Sequence, residues 1–170
     1  MLPILGGNFR TIKLRPRQEG VCAQVTKLVD YEQFCGAKAT DKDSGVNILS
    51  PSDRMSVEEL SEKLKVDVSK RPVIVDVRSA PEMDICTLPG PVVNVPFGQL
   101  DKAAQIEKVK SALDSSTSQE LILVCRRGND SQRAVAKLKD ELSGLSLTIR
   151  DVRGGLHAWA KNIDKDFPVY

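Results

Sequence analysis

One stretch holds the residues best suited to do chemistry: Leu121-Ile-Leu-Val-Cys125-Arg-Arg-Gly-Asn-Asp130-Ser131-Gln-Arg133-Ala-Val. Its first four residues are an aliphatic run of the kind that forms a buried strand. A short polar loop with one glycine follows. Ala134, Val135, Leu138 and Leu142 then recur at helical spacing, with Arg133, Lys137, Lys139, Asp140 and Glu141 between them. Strand, loop and helix together place Cys125 at the carboxyl end of a strand. The amides from about Gly128 to Gln132, in the loop and first helical turn, are expected to converge in front of its sulfur. Such a cradle holds a thiolate or another anion. Arg126 and Arg127 add positive charge beside it, Gly128 permits the positive φ of a tight loop, and Asp130 or Ser131 is expected to cap the helix.

The elements that must position this cysteine can be read along the chain. Its 170 residues suffice for one well-cored domain and an extension. The 25 basic and 23 acidic residues nearly balance, which gives no strong pull toward nucleic acid or membrane. No apolar run approaches the roughly 18 residues that span a bilayer. The start, Met1-Leu-Pro-Ile-Leu-Gly-Gly, lacks the basic flank of a secretory signal. The expected setting is therefore the cytosol. There Cys22, Cys35, Cys86 and Cys125 read as free thiols rather than a disulfide framework.

Phe9 to Leu14 alternates like a strand, and residues 1–50 otherwise read as a tail or linker. Order is expected to begin near Met55. Ser56 and Glu59 have the spacing of a capping box, ahead of Leu60 and Leu64 on one helix face. Strands are expected at 72–77, 92–95, 121–124 and 147–152, and helices near 81–85, 104–113 and after Gly154-Gly155. Alternating strands and helices predict an α/β fold, with a mostly parallel central sheet and helices on both faces. In such sheets ligands sit outside the carboxyl ends of the strands, where Asp76, Arg78 and Cys125 all fall. Asp76 and Arg78 are expected to pair and support the strand end. Trp159 reads as core, His157 as a surface or packing residue, and Cys86 as packing behind the short turn, with a resolving thiol as its alternative.

Four landmarks occur in order: Val75-Asp-Val-Arg78, Pro89-Gly-Pro-Val-Val-Asn-Val-Pro96, Cys125 to Ser131, and Gly154-Gly-Leu-His-Ala-Trp159. Together they resemble a rhodanese domain over residues 55–170, and so imply a rhodanese-like three-layer fold. Asp30-Tyr-Glu-Gln-Phe-Cys-Gly36, the Gly-Asn-Asp-Ser-Gln loop text and the ending Phe167-Pro-Val-Tyr170 narrow the likeness. They resemble the adenylyltransferase and sulfurtransferase family of the molybdenum cofactor synthesis 3 type. By that resemblance, 1–50 is the remnant and exit segment of an adenylating domain, and the chain is a fragment or shortened form of a longer enzyme. The family's Gly-rich nucleotide loop is absent, so neither ATP binding nor adenylyltransferase activity is expected. The family's zinc site needs Cys-x-x-Cys pairs, and Cys22-Ala-Gln-Val25 offers one cysteine, so no metal is expected either.

The resemblance implies a thiosulfate or persulfide sulfurtransferase that carries sulfane sulfur on Cys125. Arg126, Arg127, Gly128, Asn129, Asp130 and Ser131 form the anion-holding loop. Its implied partners are a cysteine desulfurase as donor and a ubiquitin-like sulfur carrier as acceptor, serving molybdopterin synthesis and tRNA wobble-uridine 2-thiolation. Asp130 either caps the helix or selects the donor by charge. Two alternatives stand beside this reading. One is a non-catalytic rhodanese-like interaction module, although such modules usually lack the cysteine. The other is a Cys-x5-Arg phosphatase, although Ser131 occupies the arginine position.

Overall fold

Five short strands make one parallel sheet in the order β1-β5-β4-β2-β3. They are β1 (Arg54–Met55), β2 (Val73–Asp76), β3 (Val92–Asn94), β4 (Glu120–Val124) and β5 (Thr148–Val152). The helices are α1 (Val57–Leu64), α2 (Ala80–Ile85), α3 (Ala103–Asp114), α4 (Asp130–Glu141) and α5 (Gly155–Asn162). This computed structural model describes residues 45–170. The expected strand at 9–14, Cys22 and Cys35 lie outside the described residues.

Parallel strands cannot be joined by tight turns, so each connection must cross over a face of the sheet. The pleat then sorts the side chains. Leu121, Leu123 and Cys125 of the central strand face a core shared with Val109 of α3 and with Ala134, Val135 and Leu138 of α4. Ile122 and Val124 face the other core, with Leu60 of α1 and Leu156 and Trp159 of α5. Trp159 therefore packs in the core as expected. Leu121 to Val124 are at most 1% exposed. Burying each such side chain is worth roughly 1.5–3 kcal/mol relative to leaving it in water. A cysteine at the end of this strand consequently has a stiff support.

Four strands coincide with the predicted ones to within two residues at either end. β1 is additional. Its two residues pair with Asp151 and Val152 of β5 and place order earlier than Met55. The chain before it is also fastened to the domain. The Gln132 side chain donates to the Val46 carbonyl at 2.7 Å and accepts from the Ile48 amide at 3.3 Å. At α1 only half of the expected capping box forms. The Ser56 hydroxyl accepts from the Glu59 amide at 3.1 Å, but the Glu59 carboxylate pairs with Arg150 of β5 at 2.7 Å. A charged partner outcompetes the reach back to a backbone amide.

Candidate active site

The connection after β2 runs to β3 on one side, and the chain then recrosses to β4 on the other. The carboxyl ends of β2 and β4 thus flank a topological switch point, where such sheets leave a crevice. A cleft of about 360 Å³ opens there. Val77, Arg78, Ser79 and Glu82 line it on the β2 side, and Pro96, Phe97 and Gly98 follow β3. Cys125, Arg126, Arg127, Asn129 and Asp130 line it on the β4 side.

Cys125 is only 4% exposed. Its sulfur receives the Gly128 amide at 3.1 Å and the Ser131 amide at 3.4 Å. Gly128, at φ +83°, turns the loop tightly enough to bring both donors to one point. The expected cap by Asp130 or Ser131 does not form. Asn129 stands at the N-cap without a capping side-chain bond. The first turn of a helix has amides without intrahelical partners. Here the sulfur takes one of them, so the cysteine occupies the place of a capping side chain.

α5 braces the same loop from behind. The Leu156 amide donates to the Cys125 carbonyl at 3.0 Å, and the His157 amide to the Arg126 carbonyl at 3.0 Å. With their carbonyls engaged there, these peptides are fixed in orientation. Gly155 permits the approach. It has φ +55°, and a Cβ on it would fall 2.2 Å from the Cys125 carbonyl oxygen.

Sequence reasoning missed a second tier. The Ser131 hydroxyl lies 3.4 Å from the Cys125 sulfur and 3.4 Å from Asp151 Oδ2. Asp151 is fully buried and accepts from Arg54 Nε at 2.8 Å and Nη2 at 3.1 Å. Burial pushes the Asp151 carboxyl above the usual range, with Arg54 pulling the other way. Gln132 Nε2 and Arg54 Nη2 both donate to the Gly128 carbonyl, at 2.6 and 3.4 Å. The legible signal was Asp151 itself, an acid two residues along the strand from the buried Ile149 and so on the same face.

Asp76 and Arg78 form a buried ion pair. Arg78 Nη2 donates to Asp76 Oδ2 at 2.7 Å, and the Arg78 amide donates to Asp76 Oδ1 at 2.9 Å. The remaining Arg78 donors reach the Cys86 carbonyl at 2.7 Å, the Glu82 carbonyl at 3.2 Å and the Tyr170 hydroxyl at 2.6 Å. Burial alone would weaken the charge on Arg78, but Asp76 more than offsets it and holds the guanidinium ionised. Cys86 packs at the end of α2, with its sulfur 3.6 Å from Arg78 Nη1. Asp130 is about half exposed and pairs with Arg133 at 3.1 Å. The sixth position after Cys125 holds the buried Ser131, which leaves no arginine where a Cys-x5-Arg phosphate loop has one.

The sequence profile of the rhodanese-like domain matches residues 56–162. The chain belongs to the rhodanese-like domain family. Among curated relatives of this rhodanese-like chain is the adenylyltransferase and sulfurtransferase MOCS3 of Culex quinquefasciatus. It is 45% identical over 170 residues, which is 96% of this chain and 38% of that protein. The protein of the same name from Aedes aegypti is 44% identical, over 95% of this chain and 37% of its own length. The chain thus spans little more than a third of these relatives. Among solved structures, a rhodanese homologue from Thermus thermophilus is 27% identical with a TM-score of 0.40, covering 62% of this chain and 98% of that one. Among the described residues of the rhodanese-like chain, no helix is long and apolar enough to cross a membrane.

Proposed function

We propose that this chain is a sulfurtransferase that carries sulfane sulfur as a persulfide on Cys125. The carrying observation is the pair of amides from Gly128 and Ser131 aimed at a sulfur at the floor of an open, arginine-lined cleft. A thiolate is the nucleophile in sulfur exchange, and amide hydrogens at a helix N-terminus stabilise it. The Cys125 thiolate attacks the terminal sulfur of a donor persulfide. The donor S–S bond breaks, its electron pair leaves with the donor thiolate, and a new S–S bond forms on Cys125. The terminal sulfur then extends about 2 Å from Sγ into the cleft.

The donor proposed is a cysteine desulfurase, with thiosulfate as a small substitute. The acceptor proposed is the adenylated C-terminus of a ubiquitin-like sulfur carrier. The terminal sulfur attacks its acyl carbon and AMP leaves. A thiol then attacks Cys125 Sγ and releases the thiocarboxylate with the electrons of the S–S bond, and a second thiol restores Cys125. The two thiols end as a disulfide, which balances the reduction of the sulfane sulfur. That thiocarboxylate would feed molybdopterin synthesis and wobble-uridine 2-thiolation in the cytosol. Residues 1–50 are proposed to be the remnant and exit segment of an adenylating domain. Asp130 is proposed to bias the cleft against small dianionic donors.

The test mixes the persulfide-loaded chain with a ubiquitin-like carrier adenylated by a separate enzyme, plus a small thiol. The expected product is a carrier with one carboxylate oxygen replaced by sulfur. If cyanide removes the sulfur but the adenylated carrier never does, the proposed acceptor is wrong.

A further inference from the structure

Residues 167–170 pack behind residues that line the cleft. Phe167 is buried in the core beside Trp159, which anchors the segment. Cys86 Sγ donates to the Pro168 carbonyl at 3.8 Å, and His157 Nε2 lies 3.3 Å from the Tyr170 carbonyl oxygen. The Tyr170 side chain then reaches three charged residues that line the cleft. Its hydroxyl accepts from Arg78 Nη1 at 2.6 Å and donates to Glu82 Oε1 at 3.3 Å. The Arg126 guanidinium lies over its ring, 5.7 Å from the centroid. Glu82 is held from the other side by the Ser79 hydroxyl at 2.6 Å and the Ser79 amide at 3.0 Å. Burial would raise the Glu82 carboxyl, but these bonds, with Tyr170 and Arg78, keep it below the usual range and anionic.

We propose that Tyr170 is a positioning residue that sets the preference of the cleft for anionic reactants, by fixing Arg126 over its ring and holding Arg78 and Glu82 through its hydroxyl. An arginine beside a reactive sulfur attracts an incoming anion only while its side chain is held near the path of approach. The Tyr170 ring is one of the contacts that hold it there. The phenol hydroxyl also ties Glu82 and Arg78 together. Only the nature of the natural anion, a persulfide donor or an acyl phosphate acceptor, rests on the sulfurtransferase reading.

The test needs no sulfur donor, so its failure is distinguishable from failure of that reading. Cys125 is alkylated in parallel by iodoacetate, an anion, and by iodoacetamide, its neutral counterpart. Peptide mass spectrometry follows Cys125 alone, and the ratio of the two rates is read. Tyr170→Ala is expected to lower the anion-to-neutral ratio roughly two- to five-fold, the range of a lost cation–π contact. Tyr170→Phe keeps the ring under Arg126 and is expected to retain the wild-type ratio to within about half of that loss. An unchanged ratio in Tyr170→Ala overturns the proposal, whether or not both rates fall together. A ratio in Tyr170→Phe as low as in Tyr170→Ala overturns the role given to the ring.

Discussion

Gly155→Ala is expected to abolish a functional sulfur loop, although Gly155 contributes no side chain to it. The added Cβ would fall 2.2 Å from the Cys125 carbonyl oxygen and 2.8 Å from the Arg126 carbonyl carbon, far inside van der Waals contact. All of these are backbone atoms, so no side-chain rotation relieves the clash. The residue is also at φ +55°, where an L side chain is strained by about 1–2 kcal/mol. α5 must therefore retreat and forfeit the Leu156 and His157 amide bonds to the loop, each worth roughly 1 kcal/mol. A total of about 3–4 kcal/mol is expected in urea unfolding. The sulfur-transfer rate should fall by roughly a hundred-fold, because small displacements of a reacting atom carry that cost. A Gly155→Ala protein with wild-type stability and transfer rate would show that α5 does not brace the loop.

The second large effect concerns the end of β2. Asp76→Ala strands the Arg78 guanidinium, which is 3% exposed, without its counter-charge. Removing one partner of a buried pair costs about 3–5 kcal/mol, because the remaining charge is desolvated and uncompensated. The loss spreads from there. Arg78 also ties down the Cys86 carbonyl, the Glu82 carbonyl and the Tyr170 hydroxyl, so α2 and the 167–170 segment loosen together. Asp76→Ala with Arg78→Met should recover part of the stability and none of the Tyr170 contact. Urea midpoints of the single and double variants check this. A single variant destabilised by less than about 1 kcal/mol would mean that water or a neighbouring acid already compensates Arg78.

Much of this arrangement was legible in the sequence for a physical reason. β2 and β4 are buried on both faces, so they read as short aliphatic runs, and the polar loop after Val124 stands out against them. The α/β class and the position of Cys125 follow from that contrast. β1 was not legible, because two residues carry no periodicity and form a strand only by pairing with β5. The Arg54–Asp151 pair joins residues 97 apart, and the Arg78–Tyr170 bond joins residues 92 apart, distances no local pattern encodes. The helix cap was misjudged for a more instructive reason. Position preferences name Asp130 or Ser131 as caps, on the assumption that a side chain must satisfy the first-turn amides. Here the Cys125 sulfur, just past the end of β4, takes one of them. A missing cap at the start of a helix that follows a cysteine loop is thus itself a sign of an anion site.

On the proposed function, Cys125 takes up and holds one sulfane sulfur. Intact-protein mass spectrometry after incubation with a cysteine desulfurase and cysteine tests it most directly. The expected result is a gain of one sulfur atom, mapped to Cys125, reversed by a thiol reductant and absent from Cys125→Ala. A wild-type chain that stays unmodified while another rhodanese is loaded in the same mixture would contradict it, as would equal loading of Cys125→Ala.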